Sequence, residues 1–388
     1  MNVPGAADPR PPVTVLGGFL GAGKTTLLRH LLGQARSAGS APVPGRRWAA
    51  VVNDLASVNI DAQLVAQAGA QRVVELGNGC VCCTVRDELG ETLAELCATG
   101  TYDHILVETT GVAEPRAIAR LFTRRNAFGR SVGDVARLSA LVTVIDAGSF
   151  LASHRRAIAP AVIAPPGSPK PVYELLIEQA ECADVVVLNK CDTLPAEGLD
   201  ELERIVRALN PRAEVLRAEH GQLPAELLLD RPRFDPEATL RGARWIRVLD
   251  TVGGAGVMAP DAARHEQSYG ITSVVYQERQ PLDGDKFHAF LLGGLPPGLL
   301  RAKGFFWLAG KPADIGFLSI AGGLVKQDFV GTWVAELRER GVITEAEIPA
   351  AARLRWSEPH GDRRQELVFI GTRLDEAALR AALDDCLA

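Results

Sequence analysis

Short apolar runs alternate with longer amphipathic stretches through the first half of the chain. Residues 13–16 form an apolar run that stops at Gly17-Gly18, and a helical pattern follows from Lys24 to about 35, with Leu27, Leu28, Leu31 and Leu32 on one face. Further apolar runs at 48–53, 72–76, 104–108, 141–146, 184–189 and 214–217 predict buried strands, and segments such as 84–98, 173–181 and 199–209 predict the helices between them. Strands apolar throughout and separated by helices imply a doubly wound, mainly parallel sheet over residues 13–225. Residues 1–12 are rich in Pro and Gly and read as a flexible leader, and the Pro-rich segment 158–171 reads as a surface insertion. The pattern weakens over 226–268, where Gly253-Gly254, Gly256 and Pro260 mark a linker.

A second unit is expected over 269–388. Strands are predicted at 271–277, 305–309 and 367–371, with a glycine-interrupted pair at 315–326 and helices at 284–292 and 374–387. Strands with helices beside them predict a smaller α+β domain with a mainly antiparallel sheet. Its aromatic stretch Phe305-Phe306-Trp307 reads either as a core strand or as a docking surface.

Composition narrows the function classes. Of the 388 residues, 47% are apolar and 23% charged, which excludes collagen, coiled coil and wholesale disorder. The net charge of −5 lacks the basic footprint of duplex-binding proteins, so no nucleic-acid partner is expected. The chain contains neither an apolar run long enough to span a bilayer nor a leader with a basic and an apolar region, so a cytoplasmic protein without a membrane partner is expected.

The chemistry begins at Gly18-Phe19-Leu20-Gly21-Ala22-Gly23-Lys24-Thr25, which satisfies G-x-x-x-x-G-K-[ST] between a strand and a helix. There the backbone N–H groups of Gly18, Gly21, Ala22 and Gly23, with Thr26 following, turn around a phosphate at the positive end of a helix dipole. Lys24 would pair with the β- and γ-phosphates and the Thr25 hydroxyl would ligate Mg²⁺. Glu108 ends a buried strand, where a carboxylate would organise Mg²⁺, and Gly111 offers an N–H at the γ-phosphate. Asn189-Lys190-Cys191-Asp192 fits N-K-x-D, in which Asp192 accepts from N1–H and N2–H₂ of guanine, a donor pair adenine lacks; GTP is therefore expected over ATP. His220 and Gly221 fall where a second base-contacting loop would lie. The expected fold class is α/β: a P-loop NTPase domain with a mainly parallel sheet, followed by the smaller α+β C-terminal domain.

Three of the seven cysteines, Cys80, Cys82 and Cys83, share four positions after a glycine turn and before a helix. Neighbours so close make a strained disulfide, and a helix N-terminus lowers thiolate pKa values. Three soft thiolates favour Zn²⁺ or Cu⁺ and leave a tetrahedral Zn²⁺ one ligand short, although a redox switch and small buried residues filling a loop are the alternatives. Cys97, Cys182, Cys191 and Cys386 are scattered and read as core or incidental residues.

The stretches 17–32, 51–61 (VVNDLASVNID), 77–89 (GNGCVCCTVRDEL), 107–115 and 187–192, with 268–282, 299–309 and 361–371 in the second domain, together resemble the CobW-type metallochaperone GTPases. Within that family, Asn53-Asp54 and Val58-Asn59-Ile60-Asp61 are most similar to the branch implicated in zinc allocation. The resemblance implies GTP hydrolysis coupled to delivery of Zn²⁺ to a metal-accepting client protein, with Cys80, Cys82 and Cys83 as the metal thiolates. Asp54, in the loop after the second strand, or a group supplied by a partner, would orient the attacking water. Ser57 stands where family members commonly carry a glutamate, and the family's histidine-rich stretch is missing, with His265 alone in the linker. Cobalt or iron as cargo, and a nucleotide-responsive metal sensor or store, are the competing readings. Self-association into a homodimer is left open.

Overall fold

The computed structural model describes residues 8–37, 47–52, 72–75, 84–100, 102–113, 115–123, 125, 129–157, 162–163, 165, 172–229, 232–235, 271–321 and 323–388. Two compact units emerge: residues 1–151 with 175–243, and residues 152–174 with 244–388.

In the first unit, the strands β1 (Pro12–Gly17), β2 (Trp48–Val52), β3 (Arg72–Glu75), β4 (His104–Glu108), β5 (Arg137–Asp146), β7 (Val185–Asn189) and β8 (Glu214–Arg217) form one sheet in the order β3-β2-β4-β1-β5-β7-β8. Every pairing in it is parallel. The two-residue period of the strands explains why both faces are apolar. Leu16, Ala50, Val52 and Leu106 point to one side, where α1 (Lys24–Ser37) buries Leu27, Leu28, Leu31 and Leu32. Val13, Val15, Val51 and Val107 point to the other, against Leu89, Leu93 and Leu96 of α2 (Thr84–Ala98) and Ala119 and Phe122 of α3 (Pro115–Thr123). Each fully buried leucine stabilises the unit by about 1.5–3 kcal/mol, so these two faces hold the sheet in place.

Three further helices follow: α4 (Ala147–Ala157), α5 (Val172–Glu181) and α6 (Ala196–Leu209). Helices α3 and α4 were not expected from periodicity, and β5 begins four residues before the expected start at 141. From β1 the chain crosses to β2 on one side, whereas from its neighbour β5 the next strand of the same sheet is β7 on the other, so the connections leave the carboxyl ends of these adjacent strands in opposite directions. That opens the crevice in which such sheets bind ligands.

The second unit carries a sheet in the order β6-β12-β11-β10-β13-β9, built from β9 (Ile271–Glu278), β10 (Leu299–Leu308), β11 (Lys311–Ala321), β12 (Leu324–Thr332), β13 (Gln365–Thr372) and β6 (Val162–Ile163). All pairings are antiparallel except β12 with β6. Val162 and Ile163, in the segment expected to be a surface insertion, instead pair with Leu324 and Val325, and Val162 N donates to Gly323 O at 2.8 Å. A two-residue strand gives no readable alternation, which is why its sequence did not disclose it.

One sheet face packs on α7 (Gly284–Gly293) and α10 (Glu376–Asp384), burying Phe287, Phe290, Phe306, Phe369, Leu379 and Leu383. Two shorter helices, α8 (Val334–Glu339) and α9 (Ala350–Arg353), lie between β12 and β13. Phe306 and Trp307 are buried, so the aromatic stretch is a core strand. A polar cluster is buried in the same unit: Ser319 Oγ donates to Glu174 Oε1 at 2.6 Å, and Arg301 lies 3.9 Å from that carboxylate. Among the described residues no helix is long and apolar enough to cross a membrane.

Candidate nucleotide-binding site

The site grows from the register of two strands. β1 and β4 pair with Leu16 opposite Glu108, so the Glu108 carboxylate arrives beside the turn where β1 gives way to α1. Thr25, in the first turn of α1, donates from Oγ1 to Glu108 Oε1 at 2.7 Å, although 83 residues separate them. Glu108 is buried. Lys24 is buried too, and its Nζ donates to Phe19 O at 3.2 Å, folding the ammonium back over the loop of residues 18–23. Gly23 has φ 100°, and a Cβ there would stand 2.3 Å from Asn189 Nδ2, so neither the backbone conformation nor the space admits another residue.

Asn189, at the end of β7, is the tie between loops. Its Nδ2 donates to Ala22 O at 2.9 Å and its Oδ1 accepts from Gly221 N at 2.9 Å. Both ends of the buried amide are therefore spent on backbone, joining the phosphate loop to the loop at 218–222. Lys190 follows in the left-handed conformation, φ 60°, and its Nζ forms an ion pair with Asp146 Oδ2 at 2.8 Å. Burial pushes the Asp146 carboxyl up, but the Lys190 bond and the Ser149 N–H together hold it below the usual carboxylate range. Asp192 is exposed on the short turn Cys191–Thr193. Beside these elements, Thr26, Arg29, His30, Gly33, Gln34, His220 and Gln222 line an open concavity of about 510 Å³.

The loop after β4 is held from several sides. Thr109 N and Oγ1 both donate to Leu16 O, at 3.0 and 3.3 Å, and Ala113 N donates to Thr110 O at 3.0 Å. Gly111 packs so closely on the phosphate loop that a Cβ would stand 2.6 Å from Leu20 N. Gln179 of α5, 1% exposed, donates from Nε2 to Gly111 O at 3.2 Å and to Ala113 O at 3.3 Å.

Of the residues singled out from the sequence, Gly18, Gly21, Ala22, Gly23, Lys24, Thr25, Thr26, Glu108, Gly111, Asn189, Lys190 and Asp192 all lie at the carboxyl edge of the first sheet, on its loops, on the strand ends Glu108 and Asn189, or in the first turn of α1. Asp54, Cys80, Cys82 and Cys83 lie outside the described residues. Among the described residues no group of three or more His, Cys, Asp or Glu side chains could hold a metal ion. Burial pushes the thiols of Cys97, Cys191 and Cys386 up, the opposite of what metal ligation asks of a thiol. Sequence reasoning missed Asp146 and Gln179. A carboxylate ending an apolar strand, as Glu108 does, was the signal for Asp146; for Gln179, on a helix face, there was none.

Comparison with known proteins gives the family. Residues 12–217 match the family "CobW/HypB/UreG, nucleotide-binding domain", and residues 271–387 match "Cobalamin synthesis protein cobW C-terminal domain". The zinc-regulated GTPase metalloprotein activator 1 of Dictyostelium discoideum is 31% identical over 395 residues, covering 97% of this chain and 79% of its own. The zinc chaperone CobW of Pseudomonas aeruginosa is 31% identical over 396 residues, covering 97% and 92%. Among solved structures, the Zn(II)-bound YjiA GTPase from E. coli aligns over 98% of this chain and 99% of its own, at 21% identity and a TM-score of 0.39.

Proposed function

The chain belongs to the CobW/HypB/UreG nucleotide-binding family, and on that premise we propose that it is a GTP-hydrolysing metallochaperone that hands Zn²⁺ to a client protein. The observation that carries the enzymatic half is the Thr25–Glu108 hydrogen bond at the mouth of the phosphate loop. A hydroxyl and a carboxylate at 2.7 Å are hard oxygen donors suited to Mg²⁺, and Thr25 and Glu108 would hold it. When bound, Mg²⁺ neutralises charge on the transferring phosphate. The rest is positioning by the chain itself. The N–H groups of the loop at 18–23 bind the phosphates, Lys24 turns from Phe19 O to the β- and γ-oxygens, and the Gly111 N–H meets the γ-phosphate. Asp54 orients the attacking water.

Guanine selectivity rests on Asp192, with the neighbouring Lys190 held by Asp146. The names of the two relatives support zinc as cargo, and thiolate chemistry supports Cys80, Cys82 and Cys83 as its ligands. Residues 13–225, apart from the 152–174 segment that belongs to the second unit, act as the GTPase domain, 269–388 act as the CobW C-terminal-like domain, and the linker read over 226–268 begins with Leu228 and Leu229 packed into the first unit's core, following the leader 1–12. The protein works in the cytoplasm on GTP and a protein client, without nucleic-acid or membrane partners, and a homodimer is compatible with this scheme.

Two variants separate the halves of the scheme. Lys24→Ala abolishes GTP turnover and leaves zinc stoichiometry intact, whereas Cys82→Ser weakens zinc binding and leaves GDP affinity intact. Unchanged turnover in the first, or unchanged zinc affinity in the second, contradicts the corresponding half.

A further inference from the structure

Gln179 is a buried amide outside the nucleotide-binding set. Gln179 directs Nε2 at two carbonyl oxygens, those of Gly111 and Ala113, at 3.2 and 3.3 Å. Two acceptors fix the amide's orientation, because the reverse assignment would set Oε1 against both carbonyls. The backbone of Gln179 is seated independently, through Thr143 Oγ1 donating to Gln179 O at 2.8 Å. The side chain is therefore not needed to anchor its own helix. Moreover, Gln179 Oε1 is buried and has no hydrogen-bond partner among the described residues. A methionine of the same length would fill the space without that unsatisfied acceptor, so packing does not explain a glutamine here.

What the amide does is fix peptide planes. The Gly111 carbonyl and the Val112 N–H share one plane, and the Ala113 carbonyl belongs to the next but one, so gripping both oxygens restricts the torsions between them. With Thr109 bonded to Leu16 O at one end and Gly111 pressed against Leu20 N, the segment 109–113 retains little freedom. It is the segment whose N–H groups would meet the third phosphate.

The geometry points to Gln179 as the positioning residue for the γ-phosphate: it presets the 109–113 loop to receive a nucleoside triphosphate. This rests on the GTPase reading above. A nucleoside diphosphate lacks the phosphate that the loop would touch and draws no benefit from the amide. Gln179 thereby sets the preference for triphosphate over diphosphate, without itself touching the nucleotide.

The test uses the full chain carrying Gln179→Met, titrated with fluorescent GDP and a non-hydrolysable GTP analogue in the presence of Mg²⁺, and assayed for GTP turnover. GDP affinity is expected to stay within about twofold, while analogue affinity and kcat/KM each fall about tenfold. Equal losses for both nucleotides, or none for the analogue, would overturn the assignment. Thr143→Val is the structural control: it removes the bond to the Gln179 backbone and is expected to lower Tm while preserving the GDP-to-analogue ratio. A ratio that moves as far in Thr143→Val as in Gln179→Met would assign the effect to the helix seat and overturn the proposal. Should Gln179→Met fail to fold, Gln179→Asn carries the same expectation, since its amide is one methylene too short to reach both carbonyls. Unaltered protein that neither binds nor hydrolyses GTP would remove the reading beneath the proposal, a result visible before any variant is made.

Discussion

Thr25 Oγ1 and Glu108 Oε1 stand 2.7 Å apart, joining the first turn of α1 to the end of β4. The pairing of Leu16 with Glu108 brings this about, so the two donors are preset by sheet register before any ligand arrives. Thr25→Ala and Glu108→Gln should each lower kcat for GTP at least about 100-fold, the scale seen when one preorganised group is removed from a charged transition state. GDP affinity measured in EDTA should change little. A turnover defect of the same size without Mg²⁺ as with it would show that the pair does not serve the metal.

Asp146 holds Lys190 through a bond of 2.8 Å and also accepts from Ser149 N at 3.0 Å. Asp146→Asn keeps an acceptor for the Ser149 N–H but loses the charge that steers the Lys190 side chain. Lys190 is 39% exposed, so the stability cost should be small, about 1 kcal/mol or less. Binding should suffer more, with GTP affinity and the preference for GTP over ATP both falling about tenfold. Isothermal titration with each nucleotide reads both quantities, and an unchanged GTP-to-ATP ratio would remove Asp146 from base selection.

Gly111 has no room for a side chain, because the nearest atom to an added Cβ is the backbone nitrogen of Leu20 at 2.6 Å. Gly111→Ala must push the 109–113 loop off the phosphate loop. Overpacking of this kind costs about 1–3 kcal/mol, which in a unit of this size lowers Tm by a few degrees. The GTP analogue should lose more affinity than GDP, and a melting curve and turnover rate matching the unaltered protein would contradict the close packing.

At the opposite edge of the sheet, burial pushes the Asp184 carboxyl up to about 7, although it accepts from Leu141 N at 2.8 Å. The folded chain therefore keeps a proton between pH 4 and 7 that the unfolded chain, near its ordinary 3.8, has released. This group's contribution is complete below about pH 4 and is lost as pH rises to about 7, by a few kcal/mol at most. Asp184→Asn, whose Oδ1 still accepts from Leu141, should flatten that slope and raise Tm at pH 8 relative to the unaltered protein. Parallel Tm-versus-pH curves for the two proteins would contradict it.

The strands at 13–16, 104–108 and 184–189 were legible because they are apolar on both faces, as parallel strands between helix layers must be, and the phosphate loop and N-K-x-D were legible because phosphate and guanine chemistry fix their spacing. Helix α3 was legible and was overlooked: PRAIARLFT opens with a proline at the first helical position and sets Ile118, Ala119, Leu121 and Phe122 on one face, but its nine residues are short beside the segments that were read as helices. Val162 and Ile163 escaped because pairing with β12, not local pattern, makes them a strand. Gln179 was invisible for a different reason. Its role depends on carbonyls 66 and 68 residues away, and no spacing rule in the chain announces such a contact.

The account turns on zinc affinity that depends on the nucleotide. Competitive zinc titration of the full chain with GDP, with a non-hydrolysable GTP analogue and with no nucleotide reads this directly. The predicted result is a Kd that differs at least about tenfold between the GTP-analogue and GDP states, equal to about 1.4 kcal/mol of coupling, and that loses the difference in Lys24→Ala. A zinc Kd that is the same in all three states would contradict it, leaving a GTPase and a metal site that share a chain without acting on each other.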